Sequence, residues 1–450
     1  MLDKNILDIK KNKSICQFPF VHTHSTPRYE RWLCCIQKGD AIAKAASIEE
    51  YWNSDKMKQI RLDMLAGKKI PECENCYRNE DDGVTSMRRT QLLNDDLVTE
   101  ETLATGHVNA LPVEYDYRTI HCNLTCVHCG PHYSSAHIPL AIKLGHDEKT
   151  VSHTFNHEYE KECTKEVIAA LDRRELTYIY WAGGEPMMSP QHWEIMQHMK
   201  DIYEVDPDYV DRITVMYNSN LTVSTWKKTN AYEFLAFCKP NFSPSLDGVG
   251  KTFEYIRDGG IWSEVEENWK SAYKNFYQDK SRESTLTVAL VVTAHWLFDC
   301  DRYLNFFEPY DVEIMSQRLQ RWIPEEEVEP GHPFSGNLVV GFVDPNFYPK
   351  SIMIPAFENA IERVKRSSVG GKEHLIHVIQ AMRTEYDTHS HKYTDHFISI
   401  AKTHTLKAEK IKKNTLSDLL REINPEAWMW YNSLRTESMY YNTLDVVDES

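Results

Sequence analysis

A chain of 450 residues that is 41% hydrophobic is long enough to bury a sizeable core, as one large barrel with additions or as two or three domains. Its 51 Lys and Arg against 67 Asp and Glu leave a formal net charge of −16, which repels phosphate backbones and disfavours a nucleic-acid partner. The start, MLDKNILDIKKNK, is too charged for a signal peptide, and the longest apolar stretch, Thr285 to Phe298, is too short for a bilayer and holds His295. A cytoplasmic protein with no membrane partner is expected.

In chain order, the first hundred residues predict mostly short elements. One helix is expected from Ile48 to Ala66, with Ser47 as N-cap and Gly67 at its stop. Thr102 to Leu111 reads as a connector. From Pro112 strands and helices alternate. Strands are expected at Val113–Ile120, Tyr178–Gly183, Ile213–Asn218, Asn241–Leu246, Thr285–Val292 and Val312–Leu319. Helices are expected at His157–Arg174, Pro190–Tyr203, Trp226–Cys238, Ser263–Tyr277 and Asp301–Phe307. Strand–helix units in such order predict an α/β fold with a parallel sheet or barrel. Beyond Gln320 the pattern is irregular. Pro324–Pro333 is polar and Pro-rich, Ile354–Arg366 and His374–Tyr386 are amphipathic, and the tail is acidic at Asp445, Asp448 and Glu449.

Eleven cysteines in a reducing compartment point to metal binding or catalysis wherever they cluster. Cys16, Cys34, Cys35, Cys73 and Cys76 form one group. Cys122, Cys126 and Cys129 form another, and Cys163, Cys238 and Cys300 stand alone. The second group has the spacing C-x3-C-x2-C on a loop that follows a predicted strand. A cubane 4Fe–4S cluster normally takes four thiolates, so three leave one iron open to a ligand. A zinc site is the alternative, with His121, His128 or His132 as fourth ligand.

The segment C-N-L-T-C-V-H-C closely resembles the cluster loop of the radical S-adenosylmethionine (SAM) superfamily. The resemblance implies that the open iron chelates the amino and carboxylate groups of SAM. An electron from the cluster then cleaves SAM to methionine and a 5′-deoxyadenosyl radical, which takes a hydrogen atom from the substrate. Further matches follow in order. Gly183, Gly184, Glu185 and Pro186 resemble the segment that binds the SAM amino group. Asn218 and Asn220, at the end of the third strand, match the vicinity of the ribose; an Asn-rich turn is the plainer alternative. Ser243–Gly260 resembles the fourth-strand segment, which makes Ser245 and Arg257 candidates for the SAM carboxylate. A surface salt bridge with Asp258 or Glu254 is the alternative for Arg257. Asp247 is expected to fix the turn. The resemblance covers about Pro112 to Leu319 and implies a partial (β/α)6 TIM-like barrel with function at the carboxyl ends of its strands. The long span from Cys129 to Gly183 departs from the pattern. Its His137, His146, His153 and His157 are expected to be solvated.

CQFPF, LCC, SIEEYWNSDKMKQIR and IPECENC resemble the SPASM/twitch domain of radical SAM enzymes, here ahead of the barrel rather than after it. This implies an auxiliary 4Fe–4S cluster on Cys16, one of Cys34 and Cys35, Cys73 and Cys76. A four-cysteine zinc site is the alternative. Gly83–Arg89 also recurs in such domains. The expected organisation is a small Cys-rich auxiliary domain over 1–105, a radical SAM barrel over 112–320 and a mostly helical extension over 321–450. Cys300 could return a hydrogen atom, although a buried inert thiol is more common. His389, His391, His396 and His404 are weaker metal candidates. The expected activity is hydrogen abstraction from a peptide or small-molecule substrate, with a flavodoxin- or ferredoxin-like electron donor. The rival expectation is a non-catalytic zinc or iron–sulfur binding protein.

Overall fold

A computed structural model describes residues 12–26, 28–44, 47–81, 86–90, 98–151, 157–277, 286–319, 341–392 and 395–436. The expectations for Pro324–Pro333, His153 and the acidic tail, and part of that for Gly83–Arg89, lie outside them. The chain is α/β, with a mostly parallel sheet and helices. It divides into two compact units. The first takes residues 1–120, 154–217 and 235–240, and the second 121–153, 218–234 and 241–450. Each draws on more than one of the three expected sequence ranges.

In the first unit, β1 (His22–Thr26), β2 (Glu30–Trp32) and β3 (Ala43–Lys44) form an antiparallel edge. β1 then pairs in parallel with β4 (Glu114–Thr119), β4 with β5 (Tyr178–Gly183), and β5 with β6 (Thr214–Ser219). Residues two apart along a strand share a face. Tyr117, Trp181 and Tyr217 therefore lie together, and they are buried. On that face His192, from the helix Pro190–Tyr203, meets the Tyr217 hydroxyl at 2.8 Å and the Trp181 ring edge-on at 4.8 Å. The opposite face of the same strands is polar: His22 stands beside Glu114 and His24 beside Asp116.

The helix expected from Ile48 to Ala66 is two helices, Ile48–Trp52 and Asp55–Leu65. Ser47 caps the first in a capping box with Glu50. The break falls at Asn53, whose amide bonds both the N–H and the carbonyl of Val108, at 3.0 and 2.9 Å. That tertiary demand outweighs helix continuity, and Ser54 caps a new start. The stop lies where expected: Gly67 takes φ +77, and its N–H bonds back to Met64.

In the second unit, β10 (Thr287–Val292) pairs in parallel along its whole length with β11 (Glu313–Arg318). Parallel bridges Phe242–Leu286 and Ser245–Ala289 join it to β9 (Asn241–Pro244). Val288, Leu290 and Val292 are fully buried, as are Trp296, Leu304 and Phe307 on the helix that follows. The helix after β10 starts at Ala294, earlier than the expected Asp301, because Thr293 caps it through the Trp296 N–H. The helix expected over Trp226–Cys238 is a correction. Thr225–Trp226 (β7) and Thr229–Asn230 (β8) form a hairpin, and helix begins only at Ala231. Lys227 and Lys228 occupy the turn at φ +43 and +67, the two positive values a tight hairpin needs. Among the described residues no helix is long and apolar enough to cross a membrane.

Candidate functional site

The second unit holds Cys122, Cys126 and Cys129 in an irregular loop anchored by its backbone. Thr125 and Val127 donate to the carbonyls of Asp258 and Ile256, both at 2.8 Å. The Ser134 hydroxyl donates to the Leu124 carbonyl at 2.8 Å, and Ser135 bonds both backbone groups of Cys122 at 3.1 Å. His137 is a correction to the expectation of a solvated histidine. It is buried, and its Nε2 meets the Cys126 carbonyl at 3.1 Å. The loop is thus held from several sides, and none of its three cysteines forms a disulfide.

The thiols interact electrostatically with one another. Burial, followed by repulsion from Cys122, pushes the Cys129 thiol up to about 11. Cys126 is the most buried of the three and is pushed higher still, against the pull of Arg257. Such thiols stay protonated at neutral pH unless a cationic group binds them and displaces the protons.

Two side chains aim N–H donors at the sulfurs. Asn220 Nδ2 lies 3.8 Å from Cys122 Sγ, and Arg257 lies 3.9 Å from Cys126 Sγ. Arg257 is not the surface salt bridge of the alternative expectation. It is 9% exposed and pairs with Asp247 at 2.7 Å. Asp247 accepts the N–H of Val291 on β10 at 2.7 Å, a tie to the neighbouring strand rather than within its own turn. Its other oxygen stands 3.4 Å from His128, a ring that burial lowers to about 4. Asn218 and Ser245 are half-buried, and Ser245 donates its N–H to the Ser219 carbonyl at 2.8 Å.

Lys412 also reaches this loop, and no motif in the sequence marks it. Its ammonium donates to the Thr125 carbonyl at 3.1 Å and stands 3.9 Å from Asp258. Asp258 in turn accepts the Thr125 hydroxyl at 2.5 Å.

Gly183, Gly184, Glu185 and Pro186 belong to the first unit, at the end of β5. Gly183 sits at φ +104, and a Cβ there would lie 2.4 Å from the Thr119 carbonyl oxygen. Only glycine fits that approach. Gly184 donates to the same carbonyl, and Glu185 is fully buried, accepting the Met187 N–H at 3.2 Å.

The five amino-terminal cysteines also lie in the first unit. Cys16 interacts with Cys76, Cys34 with Cys35, Cys16 and Cys73, Cys35 also with Cys76, and Cys73 with Cys16 and Cys76. Cys35 is exposed and lies within electrostatic reach of Asp116 and Arg118 on the polar face of the sheet. There Arg118 and His24 both bind Asp116, at 2.7 and 2.8 Å. Cys300 is buried within the helix Ala294–Phe307. Among the described residues, no group of three or more His, Cys, Asp or Glu side chains, including the carboxy-terminal histidines, is arranged to hold a single metal ion. A zinc ion draws its thiolates to about 2.3 Å, whereas a cubane takes each thiolate on a different iron.

Compared with known proteins, the chain matches no family model and no curated protein.

Proposed function

We propose that the chain is a radical SAM enzyme whose Cys122, Cys126 and Cys129 hold a 4Fe–4S cluster. The observation that carries this is three cysteines, none in a disulfide, on one anchored loop, with the Asn220 amide and the Arg257 guanidinium directed at two of them. When bound, a cluster with one open iron supplies the electron that cleaves SAM and generates a hydrogen-abstracting radical.

The chain's own residues have defined parts. Asn220 and Arg257 stabilise thiolates through N–H donors. Arg257 Nε is buried with no hydrogen-bond partner among the described residues, which leaves a donor for an anionic ligand group such as the SAM carboxylate. Asp247 holds the guanidinium in place. Within the second unit, Asn218 and Ser245 complete the SAM contacts. Because Asn220 is engaged with Cys122, Asn218 is the better ribose contact.

The finer architecture in this proposal is a partial (β/α)6 TIM-like barrel with a Cys-rich amino-terminal part and a helical carboxy-terminal extension. Cys16, one of Cys34 and Cys35, Cys73 and Cys76 hold an auxiliary 4Fe–4S cluster. The substrate is a peptide or small molecule, and the electron donor is flavodoxin- or ferredoxin-like, in the cytoplasm. Anaerobic purification with metal and sulfide analysis tests this. About eight irons per chain are expected, two cubanes. Cys126→Ala should lose roughly half of that iron. Zinc without sulfide would overturn the proposal and favour a non-catalytic binding protein.

A further inference from the structure

Nothing in the sequence beyond β11 assigns those helices a role, yet they deliver Lys412 to the cysteine loop. Lys412 follows the helix Asp395–Glu409, and its side chain is only 6% exposed. The local turn is tied down by Asn414, whose amide donates to the Glu254 carbonyl at 3.0 Å. The ammonium bonds the Thr125 carbonyl, one residue before Cys126, at 3.1 Å. Its carboxylate partner, Asp258, stands 3.9 Å away. Burying an ammonium is costly unless it is closely paired, and this pairing is loose. Burial accordingly lowers the Lys412 amine, while Asp258 and Cys126 oppose that shift. Arg257 is the second buried cation at the same residue, 3.9 Å from Cys126 Sγ. The fold thus holds two cations beside one cysteine of the loop.

We propose that Lys412 and Arg257 are positioning residues that raise the reduction potential of the cluster held by this loop. The inference rests on the proposed cluster at Cys122, Cys126 and Cys129. A cubane with three thiolates carries negative charge, and an added electron makes it more negative. Nearby cations and N–H donors to sulfur therefore favour the reduced form, most strongly where water is excluded. The carboxy-terminal helices would then serve the barrel by carrying one of these charges to the cluster.

The test is a redox titration of the reconstituted full-length protein without SAM, followed by the electron paramagnetic resonance signal that a Cys126→Ala control lacks. Lys412→Met should lower the reduced-to-oxidised ratio at a fixed potential about tenfold, equivalent to about 59 mV for a one-electron couple. Lys412→Arg should restore it. Asp258→Asn should move the potential the opposite way, which loss of structure alone would not do. It also carries the test if Lys412→Met fails to hold iron. Variants that retain iron and titrate with the wild type would overturn this inference alone. A wild-type loop that assembles no reducible cluster would overturn the proposed function, and this inference with it.

Discussion

Asn220 carries its side-chain amide to within 3.8 Å of the Cys122 sulfur, 98 residues away in the chain. The same amide donates to Asn123 Oδ1 at 3.3 Å, and its oxygen accepts the Thr222 N–H at 2.9 Å. The residue therefore joins the turn after β6 to the cysteine loop. Side chains that bond to metal ligands commonly change metal affinity about 10- to 100-fold when removed. Asn220→Ala should release iron to a chelator about tenfold faster than the wild type, at similar initial loading. Equal release rates would show that the contact does not support the cluster.

Gly183 makes a backbone demand that no other residue meets. Its φ of +104 and the 2.4 Å approach of an added Cβ to the Thr119 oxygen mean that Gly183→Ala must part β4 from β5 or strain the turn. A loss of about 3 kcal/mol in urea-unfolding stability is expected. A variant as stable as the wild type would mean that the turn relaxes freely.

Much of this was legible in the sequence, and the exceptions have physical causes. Tyr178–Gly183 and Pro190–Tyr203 are a strand and a helix over the expected residues, since short-range patterning suffices there. Trp226–Cys238 misled because its hairpin turn uses Lys227 and Lys228 rather than Asn or Gly. Asn53 broke a helix for the sake of a partner, Val108, far along the chain. In the candidate site the three cysteines and Arg257 were visible as motif. Lys412, Asp258 and His137 were not, because their roles exist only through contacts with the cysteine loop. The Thr125–Lys412 bond spans 287 residues.

Arg31 and Glu166 form an ion pair in the first unit with both carboxylate oxygens engaged, at 2.6 and 2.8 Å, and Arg31 is fully buried. Glu166 also accepts the Ile48 N–H at 3.0 Å, so it organises the start of a helix. Removing one partner leaves an uncompensated buried charge. Arg31→Met should destabilise by about 3–5 kcal/mol, and the double variant Arg31→Met/Glu166→Leu should recover part of that loss. Additive losses measured by denaturant unfolding would contradict the pairing.

Glu409 sets a pH dependence. Burial pushes its carboxyl up from 4.5 to about 7, although it accepts the Leu416 N–H. The folded chain then binds the proton more tightly than the unfolded chain. The resulting stability is fully present below pH 4.5 and is lost as pH rises through about 7. Glu409→Gln should match the wild type at low pH and exceed it by about 1–2 kcal/mol near pH 8, after discounting for partial exposure. Parallel stability profiles for the two proteins would contradict this assignment.

The central claim is tested most directly by incubating the anaerobically reconstituted protein with SAM and dithionite and quantifying 5′-deoxyadenosine and methionine. The wild type should release both in equal amounts, and Cys126→Ala should release neither while keeping the iron held by the amino-terminal cysteines. An iron-loaded, reducible wild-type protein that leaves SAM intact would contradict the account.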